Sequence, residues 1–245
     1  MRSNPAETHA TSGDQLLSHL ISQSNNGAED VASVPEKLAR TMREMILQGQ
    51  LRPGDPLVES RMARDLSVGQ PTVREAFKAL ELEGLVERTR NRGCSVVKLG
   101  QAEVDAMSRL RVEVEVMAVK ELCRAWSDQI AAVLEQALSN MRSAALAGGG
   151  RAYLRADLEF HEAIWRLGGN PYVERIAAPV TVPLFVLAMS SPVEQSSKAL
   201  LENLAGHAAI LEALKTRDEL NAVLVVRQVL EDFWEQDLST ARKAR

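Results

Sequence analysis

The sequence predicts a mainly α protein in two parts: a winged helix-turn-helix, then an antiparallel bundle of about six helices. Three observations carry this. Apolar residues recur at helical spacing along most of the 245-residue chain, and aromatics make up only 4% of it. Consecutive β-rich runs occur in one place, "LVERT" and "CSVVK", joined by the turn "RNRG". Charge also divides the chain. Residues 34–98 hold 12 Lys/Arg against 9 Asp/Glu, or +3, which leaves −7 for the remainder of a chain of net charge −4.

Residues 1–33 are polar and read as a flexible lead, with a short amphipathic stretch at "DQLLSHLI". The winged domain is placed at residues 34–99. Its first helix starts at Val34 with Pro35 in the first turn and apolar Leu38, Met42, Met45 and Ile46. Gly49, Pro53 and Gly54 end it. A short helix follows at about 59–66. After the turn "SVGQ", a third helix opens at Pro71, with Val73, Ala76, Phe77 and Leu80 as its inner stripe and Gly84 as its stop. The two β-rich runs then form a hairpin, the wing. Helix, helix, turn, helix, hairpin is a winged helix-turn-helix, which points to DNA binding; the alternatives are a protein-docking module and a small α+β domain with no nucleic-acid role.

Residues 100–243 are placed as an all-helical domain for effector binding and dimerisation. Helices are expected at about 101–125, 128–147, 151–167, 171–190, 194–215 and 217–240. "AGGGR", "GGNP" and "SSPVEQSS" break them. Short connections imply antiparallel neighbours.

Composition narrows the setting. Hydrophobic residues at 45% and charged residues at 25% are ordinary for a soluble globular chain. The two cysteines, Cys94 and Cys123, form no CxxC pair, which argues against a disulfide framework or a cysteine zinc site and for the cytoplasm. The first residues lack an apolar signal core. The run "AAPVTVPLFVLAM" is too short to span a bilayer and contains Pro179 and Pro183, so no membrane segment is expected.

One stretch resists a packing explanation. In "DLEFHEAIW" (157–165), Asp157 and His161 stand four apart, so a helix aims both along its stripe of Leu154, Leu158, Ile164 and Trp165. His207 stands likewise on a stripe with Leu204, Ala208, Leu211 and Leu214. A buried ionised carboxylate costs several kcal/mol unless paired. Three polar groups aimed into one bundle therefore point to a site. Each histidine alone reads more readily as a satisfied core residue. A di-iron enzyme would need Glu three residues before each His; Leu158 and Leu204 stand there. No Ser-His-Asp set or phosphate loop is present, so an enzyme is not expected.

The segment "LRPGDPLVESRMARDLSVGQPTVREAFKALELEGLVERTRNRGCSVV" resembles the winged domain of the GntR family of bacterial transcriptional regulators. "RVEVE", "DLEFH", "GGNPYV" and "GHAAILEAL" resemble the marker segments of the effector domain in that family's FadR branch. Six helices rather than seven look like its VanR subgroup.

One mildly basic module gives few phosphate contacts, so a homodimer that reads a palindromic operator in double-stranded DNA is expected; the resemblance implies that it is most commonly a repressor relieved by a small organic acid. Base and phosphate contacts fall to Gly69, Gln70, Thr72 and Arg74 on the recognition helix. Arg92 and Gly93 stand at the wing tip. Arg74 can fork onto guanine or phosphate and Gln70 can pair with adenine. Arg88 and Arg90 add phosphate contacts, and Glu75 has a structural role. In the resembling domain, residues matching Asp157, His161 and His207 bind a divalent metal with a third His. Val229 holds that position here. Three donors still suit zinc, nickel or manganese. The alternatives are a metal-free pocket, with His161, His207 and Arg111 on the effector's anion, and a regulator for which the ion is itself the signal.

Overall fold

The computed structural model describes residues 32–89, 93–190 and 196–243, with side chains through residue 232. The chain divides into two compact units between Lys98 and Leu99. The "DQLLSHLI" stretch lies outside the described residues.

The first unit runs α1 (Val34–Leu47), β1 (Pro56–Leu57), α2 (Glu59–Asp65), α3 (Gln70–Leu82), β2 (Val86–Thr89) and β3 (Gly93–Val96). Glu36 caps α1 by accepting the Ser33 N–H at 2.7 Å, which satisfies a donor that the helix start leaves over. Leu38, Met42, Met45 and Ile46 are buried as their spacing required. Helix α3 begins at Gln70, one residue before the expected Pro71, because Gly69 holds the extended N-cap conformation and Pro71 fits the first turn. It ends where Gly84 turns to φ 72°, a conformation that favours glycine. Val73, Ala76, Phe77 and Leu80 are fully buried under it.

The three strands form one antiparallel sheet in the order β1-β3-β2, with Arg88 opposite Cys94 and Thr89 opposite Gly93. Strand β1 is an addition to the expected hairpin. Two residues are too few to show alternation, and Pro56 fits only because it begins an edge strand.

The second unit contains six helices among the described residues: α4 (Gln101–Ala125), α5 (Asp128–Leu146), α6 (Gly150–Leu167), α7 (Pro171–Ser190), α8 (Ser197–Lys215) and α9 (Glu219–Lys243). Helix α9 departs from its expected bounds at both ends, starting two residues late and ending three residues late. Arg217 adopts a left-handed φ of 58°, and Asp218 Oδ1 accepts the N–H groups of Leu220 and Asn221 at 3.0 and 3.1 Å. Helix α8 starts at a cap in which Ser196 accepts the Ala199 N–H. Asn170 caps α7 by accepting the Tyr172 N–H at 3.1 Å.

Helix α4 packs on α6, α7 and α9, and α5 packs on α6 and α8. Ion pairs Glu113–Arg227 (2.7 Å) and Arg124–Glu219 (3.3 Å) show that α4 and α9 run antiparallel. The apolar run expected to be too short for a membrane belongs to α7, whose 20 residues, with an 18-residue window of mean hydropathy 1.5, are enough to cross one. Its length does not set it apart from a membrane span; its burial does. Val180, Val182, Leu184, Phe185 and Val186 are covered by protein, and the helix packs on α4 and α6.

Candidate functional site

Two groups of residues stand apart from the cores. The first is on the winged unit. Burying Val73, Phe77 and Leu80 turns the opposite face of α3 outward. Gly69, Gln70 and Arg74 are exposed there, and Thr72 is half-buried. Gly93 is exposed at the start of β3 with φ 86°. Arg90 and Arg92 lie outside the described residues. Glu75 pairs with Lys78 at 2.8 Å on the helix surface.

The Arg74 guanidinium is not loose. Its Nε and Nη2 both donate to Glu59 Oε2, at 3.1 and 3.0 Å. Arg88 Nη1 reaches Glu59 Oε1 at 3.4 Å, and Arg88 Nε reaches Glu81 at 3.3 Å. Glu59 had no role in the sequence reading, because its partners lie 15 and 29 residues away.

The second group is inside the helical unit. Asp157 and His161 of α6 and His207 of α8 are all buried, at 2%, 1% and 3% exposure. Helix pitch puts the first two on one face, and α6 carries that face inward with Leu154, Leu158, Ile164 and Trp165. The donor atoms form a small triangle. His207 Nε2 is 2.9 Å from Asp157 Oδ1, His161 Nε2 is 3.4 Å from the same oxygen, and the two Nε2 atoms are 3.3 Å apart.

The other ring nitrogens are committed elsewhere. His207 Nδ1 lies 3.0 Å from the Asn203 carbonyl oxygen, so the proton sits on Nδ1. His161 Nδ1 lies 3.0 Å from Glu115 Oε1, another acceptor. That contact is short but off-line, an ion-pair distance rather than an aligned hydrogen bond. In the neutral rings both Nε2 lone pairs then face Asp157 Oδ1. Three acceptors converge on one point, and they need a proton or a cation between them.

Glu115 and Arg111 complete the group. Both belong to α4, four residues apart, at 0% and 2% exposure. Arg111 Nε approaches Glu115 Oε1 at 3.6 Å, and its guanidinium lies 5.0 Å from the Phe185 ring centre. Trp165 Nε1, Thr181 Oγ1, both Glu115 oxygens and Asp157 Oδ1 are buried without an aligned hydrogen bond. Thr181 precedes Phe185 by one turn on the same face of α7. Such a concentration of unsatisfied polar atoms marks a place built for something further.

Burial opposes ionisation of Asp157, but the charge of His207 and hydrogen bonds from both imidazoles outweigh it and hold its carboxyl far below the usual range. The same contest lowers Glu115, where His161 and Arg111 overcome desolvation. Burial and the Arg111 charge press His161 down, but the Glu115 charge and the hydrogen bonds to Asp157 and Glu115 together outweigh them and raise it.

A tetrahedral ion with bonds of about 2.1 Å separates its donors by roughly 3.4 Å, and an octahedral one by roughly 3.0 Å. The triangle of 2.9, 3.3 and 3.4 Å fits three adjacent positions of either. Glu115 and the Asn203 carbonyl supply the outer partners that fix a metal-binding imidazole. The residues present therefore suit a divalent ion with three protein donors. Val229 is half-buried on α9 and packs on Gly206, where an added methyl would stand 3.0 Å from Val229 Cγ1. It offers no donor. Val226 and Leu230 are its buried neighbours on that helix, and the Phe233 side chain lies outside the described residues.

The sequence reading brought Asp157, His161, His207 and Arg111 to the site but missed Glu115 and Trp165 Nε1, and it missed the buried Thr181 hydroxyl on α7. Glu115 was legible: Ser108, Arg111, Glu115, Val119 and Leu122 recur at inward spacing along α4. Thr181 carried no comparable signal in its apolar run.

Both halves have counterparts among known proteins. Residues 35–96 match the model of the bacterial regulatory proteins of the gntR family, and residues 106–232 match the FCD domain. Over 190 residues the chain is 26% identical to the gluconate operon transcriptional repressor of Bacillus licheniformis, covering 76% of this chain and 78% of that one. It is 25% identical over 233 residues to the HTH-type transcriptional repressor NanR of Cronobacter sakazakii, covering 86% and 88%. The solved structure of Escherichia coli McbR/YncC shares the fold, with a TM-score of 0.72 at 20% identity over 87% of this chain and 99% of that one. These are transcriptional regulators, not enzymes. The chain belongs to the GntR family: it is a DNA-binding transcriptional regulator whose helical half is an FCD domain.

Proposed function

We propose that this regulator responds to a small carboxylate that binds beside a divalent ion held by Asp157, His161 and His207. The observation that carries the reading is the commitment of both Nδ1 atoms to outer acceptors while both Nε2 atoms converge on Asp157 Oδ1. Zinc, nickel and manganese suit the donor set. The bound ion would supply a positive centre for the acid's oxygens. Arg111 supplies a second positive charge at the site.

Charge favours this over a metal-free anion pocket. Without an ion, a protonated His161 and Arg111 only balance Glu115 and Asp157, so the site offers a carboxylate no net positive charge. A divalent ion brings the count to one positive charge, which a monocarboxylate neutralises. The relative named for the gluconate operon is named for an acid of this class. The six helices are in keeping with a VanR-like member.

The ligand's output is a changed operator affinity. The outward residues Gln70, Thr72 and Arg74, with Gly69, Arg92 and Gly93, are assigned to DNA contact. Homodimerisation is inferred because one mildly basic module gives few phosphate contacts. Exposed Leu110 and Met117 on α4, and Leu220 and Leu224 on α9, offer an apolar face on two helices that pack together.

Duplexes selected from a random library test both halves of the proposal. Arg74→Ala should weaken the selected duplex about tenfold to a hundredfold, as loss of a bidentate base contact does. Gluconate and other small monocarboxylates, titrated into the DNA complex by fluorescence anisotropy, should alter affinity in metal-loaded protein and not in chelated protein. An acid effect that survives full chelation would remove the ion from the account. An effect of metal alone, unchanged by any acid, would make the ion the signal.

A further inference from the structure

We propose that Glu59 sets the sequence specificity of DNA binding by positioning Arg74. The proposal rests on the assignment of Arg74 to base reading, and the experiment below tests that assignment separately.

An arginine has five N–H donors in a planar fork. Glu59 Oε2 accepts from Nε at 3.1 Å and from Nη2 at 3.0 Å, so one oxygen closes the side of the fork. One N–H of Nη2 and both of Nη1 remain, and they lie at the end of the plane. That end-on pair matches the two acceptors, O6 and N7, that guanine presents in the major groove. A guanidinium without the carboxylate rotates about its last bonds and offers its side or its end to any phosphate. Glu59 fixes which edge is presented.

The carboxylate is itself held. Its Oε1 faces Arg88 Nη1 at 3.4 Å, and Arg88 Nε faces Glu81 at 3.3 Å. Arg74, Glu59, Arg88 and Glu81 thus form an alternating chain of two positive and two negative charges. It links α2, both ends of α3 and strand β2. Glu59 is 24% exposed against 48% for Arg74, so the anchor is more enclosed than the group it orients. The chain is electrically balanced, which removes Arg74 and Arg88 from the pool of loose cations that bind any duplex. A carboxylate this close to DNA lowers affinity for every sequence and returns selectivity for one.

The test compares full-length wild type, Glu59→Gln, Glu59→Asp and Arg74→Ala. Each binds a duplex selected by the wild type, its single-base variants and an unselected duplex, at several salt concentrations. Arg74→Ala is expected to lose the preference for guanine at one base pair of each half-site. Glu59→Gln is expected to lose about tenfold of the preference at the same base pair. Its binding to the unselected duplex should stay equal or tighten, with a steeper salt dependence. Glu59→Asp, which keeps the charge, should recover part of the preference. A Glu59→Gln protein that keeps full guanine preference overturns the proposal. So does one that weakens all duplexes equally with a lowered melting temperature, which would make the cluster a structural tie only. If Arg74→Ala keeps the preference, the assignment of Arg74 fails, and the proposal fails with it.

Discussion

Replacing Arg111 with Met is expected to lower the stability of the protein by about 3–5 kcal/mol, the usual cost of stranding one charge of a buried pair. Glu115 is 0% exposed and Arg111 2%, so neither side chain can turn to water when its partner is lost. Methionine fills a similar length, so the packing change is small and the cost falls on the stranded charge. His161 remains beside Glu115 at 3.0 Å, which limits the loss but does not replace the second positive charge. Urea melts measure it directly. The double variant Arg111→Met with Glu115→Leu should recover part of the loss, since replacing both partners of a buried pair is far cheaper than replacing one. A single-variant cost below about 1 kcal/mol would show that Arg111 does not balance the site.

Zinc, nickel or manganese added to chelated protein should raise its melting temperature by roughly 5–10 °C at a hundredfold excess over the dissociation constant. That corresponds to about 2.7 kcal/mol of linkage. Asp157→Asn should lose most of the shift, because the amide keeps the volume and removes the charge that both imidazoles face. An undiminished shift in that variant would place the ion elsewhere.

The pH dependence gives a second readout. His161 is raised above its ordinary 6.5, so the folded state holds its proton more tightly than the unfolded chain. That stabilisation is complete below pH 6.5 and fades as pH rises through the raised value. Asp157 is lowered from 3.8, so its contribution is present above that pH and is lost only in acid. Metal-free protein should therefore lose stability on the alkaline side of pH 6.5. Loaded protein should not, because the ion takes the proton's place between the same lone pairs.

Much of this was legible in the chain. The recognition helix could be read because Val73, Phe77 and Leu80 recur at one spacing, and the site because Asp157, His161 and His207 interrupt apolar stripes. What stayed hidden depends on pairing between distant segments. Glu59 reads as an ordinary first-turn acid until folding brings Arg74 and Arg88 to it. Strand β1 has two residues and no alternation, and only pairing with β3 makes it a strand. Thr181 sits in an apolar run, and its unsatisfied hydroxyl appears only when α7 is packed. The start of α9 was misplaced because a left-handed Arg217 has no sequence signature comparable to glycine.

The contact of Val229 with Gly206 has a kinetic consequence. With no donor from α9, an ion would leave by breaking three protein bonds rather than four, and it would exchange faster. Occupancy would then follow the free concentration outside instead of being fixed once at folding. If the proposed acid binds only beside the ion, it would register only when both are abundant. On that proposal, a side chain that gives up a ligand would turn the ion from a resident cofactor into one of two inputs, and the regulator into a detector of their coincidence.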